Sequence, residues 1–157
     1  MFDLTLLEDR ALREREAAAL LRCNEATAPY GLTLTPRQAL ELAETRAHAL
    51  RNAGRLELRG GVAEKIILAF CDSPHLDQRN YAAALNALVE IFYEYKNETI
   101  DRLNDDELIG CMRRCFDGPG MGSLELLRGR ELERVARNVR YGREPDDDGE
   151  EEWDDAD

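Results

Sequence analysis

Apolar residues recur at three- and four-residue steps along most of this chain, and that period predicts a helical protein. From about Asp3 to Arg22, Leu4, Leu7, Ala11, Ala18 and Leu21 form a stripe with charges between them, weakened between Glu14 and Ala18. Ala28-Pro29-Tyr30-Gly31 interrupts the pattern. Thr35-Pro36-Arg37-Gln38 then opens a second helix with a capping-box sequence and proline at its first position. That helix is expected to run from Pro36 to about Ala53, with Gly54 just past its end. Its inner face reads Ala39, Leu40, Ala43, Ala47 and Leu50, and its outer face Arg37, Glu41, Glu44, His48 and Arg51. On either side, Leu32-Thr33-Leu34 and Leu56-Glu57-Leu58 alternate with period two, which leaves room for a minimal two-stranded element.

Val62 to Phe70 is a compact apolar run, read as a short buried helix ending near Cys71, where Asp72-Ser73-Pro74 forces a turn. The most apolar stripe, Tyr81, Leu85, Leu88, Phe92 and Tyr95, predicts a central helix over about Asp77 to Lys96, with Asn86, Glu90 and Glu94 as its polar edge. Asn104-Asp105-Asp106-Glu107 supplies a cap and three acids for the positive end of the next helix, which should close around Phe116. After the glycine-rich turn Asp117 to Gly122, Ser123 caps a last helix with Leu124, Leu127, Leu132, Val135 and Val139 facing inward and a kink expected at Gly129. The fold class that follows is mainly α: one domain of five to six helices over residues 1–143.

Charge sharpens that boundary. Of the 33 acids in the chain, ten fall in residues 144–157, which hold no base, so most of the net charge of -12 resides in that segment. Residues 1–143 are nearly balanced, with 23 acids against 21 bases. A segment this charged and this poor in apolar residues cannot bury enough surface to order itself, so residues 144–157 are expected to form a disordered acidic tail. Four cysteines in 157 residues do not make a disulfide scaffold, and no leader or membrane-length apolar stretch is read at the N-terminus, which together suggest the cytoplasm and no membrane.

Candidate chemistry is sparse. Cys111 and Cys115 are one helical turn apart on the apolar stripe, too far apart in a regular helix for a disulfide, and read as small buried side chains. Cys71 and His75 could join them as zinc ligands, yet the close Cys-x-x-Cys pairing typical of closed sites is missing. Asp72, Ser73 and His75 carry the residue types of a hydrolase triad, but such near neighbours rarely align, and capping of the next helix explains Asp72 and Ser73. Gly118-Pro119-Gly120-Met121-Gly122 lacks the lysine of a phosphate loop and reads as a connection. The expectation is therefore no catalytic residue, no cofactor and no resident metal.

The last helix is different. Arg128, Arg130, Arg134, Arg137, Arg140 and Arg143 face only Glu131 and Glu133, a local net of +4, and Arg130, Arg134 and Arg137 share one face. Such a face reads either as a solvated surface partly paired with Glu133 or as an anion site for phosphate, nucleic acid or an acidic partner, and the acidity of the whole chain disfavours general nucleic-acid binding. The acidic tail adjoins it, and with a flexible span of roughly 20 Å it can fold back over those arginines. Trp153, alone among acids, has the pattern of a linear motif with one apolar anchor steered to a basic groove.

Three segments, Tyr30 to Leu50, Ala69-Phe70-Cys71-Asp72-Ser73-Pro74, and Asn80-Tyr81 through Tyr95-Lys96-Asn97-Glu98 to Asp105-Asp106-Glu107-Leu108, resemble an uncharacterised bacterial family of unknown function found largely in Gram-positive anaerobes. The resemblance covers roughly residues 28–140. It implies a stand-alone cytosolic helical protein and brings no activity, cofactor or catalytic residue. The functional expectation is a non-enzymatic protein-interaction or regulatory module. Its contact residues would be Arg130, Arg134, Arg137 and Trp153, and its partner an unknown protein with a basic surface. A metal-dependent or small-molecule enzyme using the Cys71 to His75 turn is the alternative.

Overall fold

The structure, a computed structural model, describes residues 4–57 and 61–147. The chain divides into two compact units, residues 1–94 and 95–157. Among the described residues every regular element is helical and no strand forms.

The first unit contains α1 (Leu4–Arg22), α2 (Asn24–Thr27), a 3-10 turn (Ala28–Tyr30), α3 (Pro36–Asn52), α4 (Val62–Phe70) and most of α5 (Tyr81–Glu98). Helix α3 begins as its sequence predicts. The Gln38 amide donates to the Thr35 hydroxyl at 3.1 Å, and the Thr35 amide donates to the Gln38 side chain at 2.9 Å. It also ends as predicted. Gly54 takes a left-handed φ of 68°, which lets the Arg55 and Gly54 amides bond back to the carbonyls of Leu50 and Arg51.

Two helix faces differ from expectation. In α3 the buried positions are Ala39, Leu42, Ala43, Arg46, Ala49 and Leu50, whereas Leu40 and Ala47 are only half-buried. The face turns because Arg46 lies inside, so its own neighbours along the helix, Leu42 and Ala49, go in with it. Among residues 7–22 of α1 the buried ones are Ala17 and Leu20, while Leu7, Ala11 and Ala18 of the expected stripe are exposed and the side chain of Leu4 lies outside those described. Apolar residues fall around much of α1, so their period does not select one face. The face that packs on α3 carries Glu16, which reaches Arg46.

The alternating segment Leu32-Thr33-Leu34 is extended and buries Leu32 and Leu34, yet it pairs with no strand. Two side-chain amides take the place of neighbouring peptides. Asn24 accepts from the Leu34 amide at 2.8 Å and donates to the Leu34 carbonyl at 2.9 Å. Gln78 does the same for Thr33, at 2.8 and 2.9 Å. Successive residues of an extended chain direct their amide and carbonyl to opposite edges, so the two carboxamides cap one edge each. Leu58, in the other half of the expected element, lies outside the described residues.

Helix α5 buries Tyr81, Leu85, Leu88 and Phe92 completely, each removal from water contributing about 1.5–3 kcal/mol. It starts at Tyr81 rather than Asp77. Asp77 and Asn80 each accept the other's backbone amide at 2.9 Å, and this reciprocal box holds the preceding turn outside the helix.

The second unit starts in the last turn of α5 and contains α6 (Asp105–Asp117), α7 (Leu124–Leu126), a π turn (Leu127–Glu131) and α8 (Leu132–Arg140). Asn104 and Glu107 form the capping box of α6, which has Asp105 and Asp106 in its first turn as well. Ser123 caps α7. The wide turn sits around Gly129, where the sequence predicts a kink, and Glu131 and Asn138 join Leu127, Leu132, Val135 and Val139 in the interior.

Candidate interaction site on the last helix

Glu131 is 5% exposed, and its carboxylate accepts from Arg130 Nε at 2.6 Å and from Arg134 Nη2 at 3.4 Å. Arg130 also donates to the Pro119 carbonyl at 2.8 Å. A carboxylate so far from water requires such partners, and it fixes where the two guanidinium groups point. Arg130 and Arg134 therefore converge on one acid, and Arg137 stays exposed on the next turn. Glu131 keeps step with Leu127 and Val135, four residues to either side, so its charge and not its spacing conceals its burial in the sequence.

Helix α8 ends on Gly142, whose φ of 75° lets the Gly142 and Arg143 amides bond to the carbonyls of Val139 and Asn138. This termination reverses the chain and lays residues 143–147 back along the helix. Asn138 is 4% exposed, and its side-chain amide donates to the carbonyl of Pro145 at 3.3 Å and to that of Asp147. Arg134 Nη1 donates to the same Asp147 carbonyl at 2.9 Å. The Asp146 carboxylate pairs with Arg114 of α6 at 3.2 Å. The root of the acidic segment is thus held through two main-chain carbonyls and one carboxylate. Residues 148–157, the rest of the expected disordered tail with its Trp153, lie outside the described residues. No motif marks Asn138, yet the sequence carries a signal: it is a polar residue in register with Leu132 and Val135, and a buried amide must find partners.

Cys111 and Cys115 are both buried on α6, as their spacing predicts. Burial raises the Cys111 thiol and pushes Cys115 up to about 11; Arg134 pulls the latter down, while Glu131 and Asp146 work against it. Neither is a poised nucleophile. The glycine-rich turn spends its amides on α6: Gly118, Gly120 and Gly122 donate to the carbonyls of Arg114, Cys115 and Phe116. A Cβ at Gly120 would lie 2.7 Å from the Cys115 oxygen, so this close approach requires glycine.

In the first unit, the buried Arg46 meets Glu57 at 2.6 Å and Glu16 at 3.4 Å, and the Tyr93 hydroxyl donates to Glu57 at 2.7 Å. Burial opposes the charge on Arg46, but the Glu57 hydrogen bond and charge outweigh it and raise its pKa overall. Burial and the adjacent Glu57 also raise Tyr93, which keeps the phenol protonated. A cavity of about 250 Å³ beside this cluster is lined by Glu16, Leu20, Ala43, Arg46, Ala63 and Glu64 among others. Cys71 and His75 are not in its lining. Cys71 is buried with its thiol toward the Leu68 carbonyl, and His75 sits in a turn braced by Ser73 and Asn80. Among the described residues no group of three or more His, Cys, Asp or Glu side chains is placed to share a metal ion. Nor is any described helix long and apolar enough to cross a membrane.

Among the described residues the architecture is all-helical, and Pro145–Asp147 are received by a donor-rich face of the last helix. The chain belongs to a family of unknown function, DUF6323, which matches residues 19–145. That span takes in Arg114, Arg134, Asn138 and the Gly142 reversal and stops at Pro145. Neither a curated protein nor a solved structure matches the chain.

Proposed function

We propose that this protein is a non-enzymatic cytoplasmic interaction or regulatory module. Its acidic C-terminal segment and the arginine-bearing last helix meet a charged protein partner. The observation that carries the reading is the reception of Pro145, Asp146 and Asp147 by Asn138, Arg114 and Arg134. A solvating tail needs no such seat; an element that has to be presented from a fixed place does. Seven further carboxylates and Trp153 follow that anchor in residues 148–157, chemistry suited to a basic surface with an apolar pocket. Affinity capture with the full chain and with a chain ending at Arg143 tests the reading. Partners of the acidic segment should be retained by the full chain only and released as salt rises. Identical sets from both would remove the acidic segment from the mechanism, and empty sets from both would remove the mechanism itself.

A further inference from the structure

The contacts at the root of the acidic segment have the form of a ligand in a binding site. Asn138 and Arg134 address main-chain carbonyls, which any sequence provides. Arg114 addresses the carboxylate between them, which only an acidic residue provides. The site is built from the inside: Asn138 is buried, and the buried Glu131 holds Arg134 from behind. The Arg114–Asp146 pair contributes little binding energy of its own, since those side chains are 58% and 64% exposed and solvent screens such a pair. Tethering keeps the segment in place, because a linked segment faces its site at an effective concentration on the order of millimolar.

We infer that the face formed by Arg114, Arg134 and Asn138 is a receptor for an extended acidic segment of a partner protein, with Pro145–Asp147 as the resident that such a segment displaces. The inference rests on the reading of this chain as an interaction module and adds what the arginine face accepts. The occupant is defined by the contacts: two carbonyls, two residues apart, flanking an aspartate. Displacement frees residues 144–157 at the same moment, so capture at this face and release of the acidic segment are one exchange.

A labelled peptide of residues 143–157 provides the probe, and the receptor is the full chain with Gly142→Val and Asp146→Lys. The first substitution places a β-branched residue at a φ of 75°, and the second sets a cation against Arg114. The peptide should bind the opened chain at least about ten-fold more tightly than the wild type, where the tethered resident competes. Adding Arg134→Lys or Asn138→Asp should each remove most of that gain, and the side-chain amide resonances of Asn138 should shift on titration into the opened chain. A scrambled peptide of the same composition should bind several-fold more weakly. Equal affinity of wild-type and opened chains, indifference to Asn138→Asp, or equal binding of the scrambled peptide would each overturn the receptor. Unchanged thermal unfolding of the Arg134→Lys variant separates loss of the site from loss of the fold. Concentration-dependent dimers of the opened chain without peptide would overturn the assignment to a partner protein in favour of a second copy. Failure here leaves the capture experiment intact, because partners lost on truncation at Arg143 report on residues 144–157, whereas partners of this face would be kept or gained by the shortened chain.

Discussion

Each of the two units buries an ionised group, and the two differ in the ratio of acceptors to donors around it. In residues 1–94 a single guanidinium, Arg46, is met by two carboxylates, Glu16 and Glu57, with Tyr93 donating to the latter. In residues 95–157 a single carboxylate, Glu131, is met by two guanidinium groups, Arg130 and Arg134. A guanidinium carries five N–H donors and a carboxylate about four acceptor sites, so the stoichiometry decides what remains. Around Arg46 two of those donors go to carboxylates of the same unit. Around Glu131 there are donors to spare, and they extend to Pro119 and Asp147. The first arrangement closes a fold; the second receives a chain.

If that contrast is right, Arg46 carries stability and little else. Arg46→Ala would leave Glu16 and Glu57 facing a partly dry site without their shared cation. Breaking a buried pair from one side costs about 3 kcal/mol or more. The expected result is a fall in the denaturant midpoint of that order, read by circular dichroism, with peptide binding on the last helix unchanged in the folded population. A loss below about 1 kcal/mol would show that water enters the cluster and that the two ionic sites are alike after all.

The reversal at Gly142 sharpens the same comparison from the other side. No atom lies within 4 Å of the position a Cβ would take there, so Gly142→Ala meets backbone strain and no clash. A left-handed alanine costs about 1 kcal/mol relative to glycine. The strain falls where the chain turns back toward Asn138. Amide exchange at Asp147, whose N–H bonds to Glu144, should therefore accelerate, while that at Ala39 in α3 keeps its rate relative to global unfolding. Uniform acceleration at both amides would mean that the reversal supports the fold and not the seat.

Most helices were legible because their punctuation is local. Thr35 with Gln38, Asn104 with Glu107, Ser123 and Gly54 act on backbone groups a few residues away, so sequence neighbours suffice to place them. Helix faces were less legible wherever a charge goes inside. Arg46, Glu131 and Asn138 keep step with apolar residues on their own helices, but their polarity argues for solvent, and only partners brought to them by the fold make them interior. The period-two alternation at Leu32-Thr33-Leu34 correctly reported an extended chain with one face buried. It could not report that Asn24 and Gln78 would stand in for a second strand, because a carboxamide pairs like a peptide without leaving a strand pattern. Of the expected contact residues, Arg134 is in the seat and Arg130 braces it through Glu131, while Arg137 remains on the outer surface. Arg114 was missed because it belongs to another helix.

The smallest expected effect concerns that residue. Asp146→Asn removes the charge from the Arg114 pair and keeps the side-chain volume, so the loss in global stability should be at most about 0.5 kcal/mol. The loss should shrink further in 1 M salt, where the Debye length is about 3 Å. Its informative consequence is local. If Asn138 and Arg134 hold the main chain and Arg114 selects the acid, Asp146→Asn should leave residues 143–147 in place and weaken their competition with an added acidic peptide about two- to three-fold. Charge repulsion of the kind set by Asp146→Lys is then needed to open the seat. A full opening by Asp146→Asn alone, seen as peptide affinity equal to that of the opened chain, would show that the carboxylate does the holding and that the carbonyl contacts merely follow it.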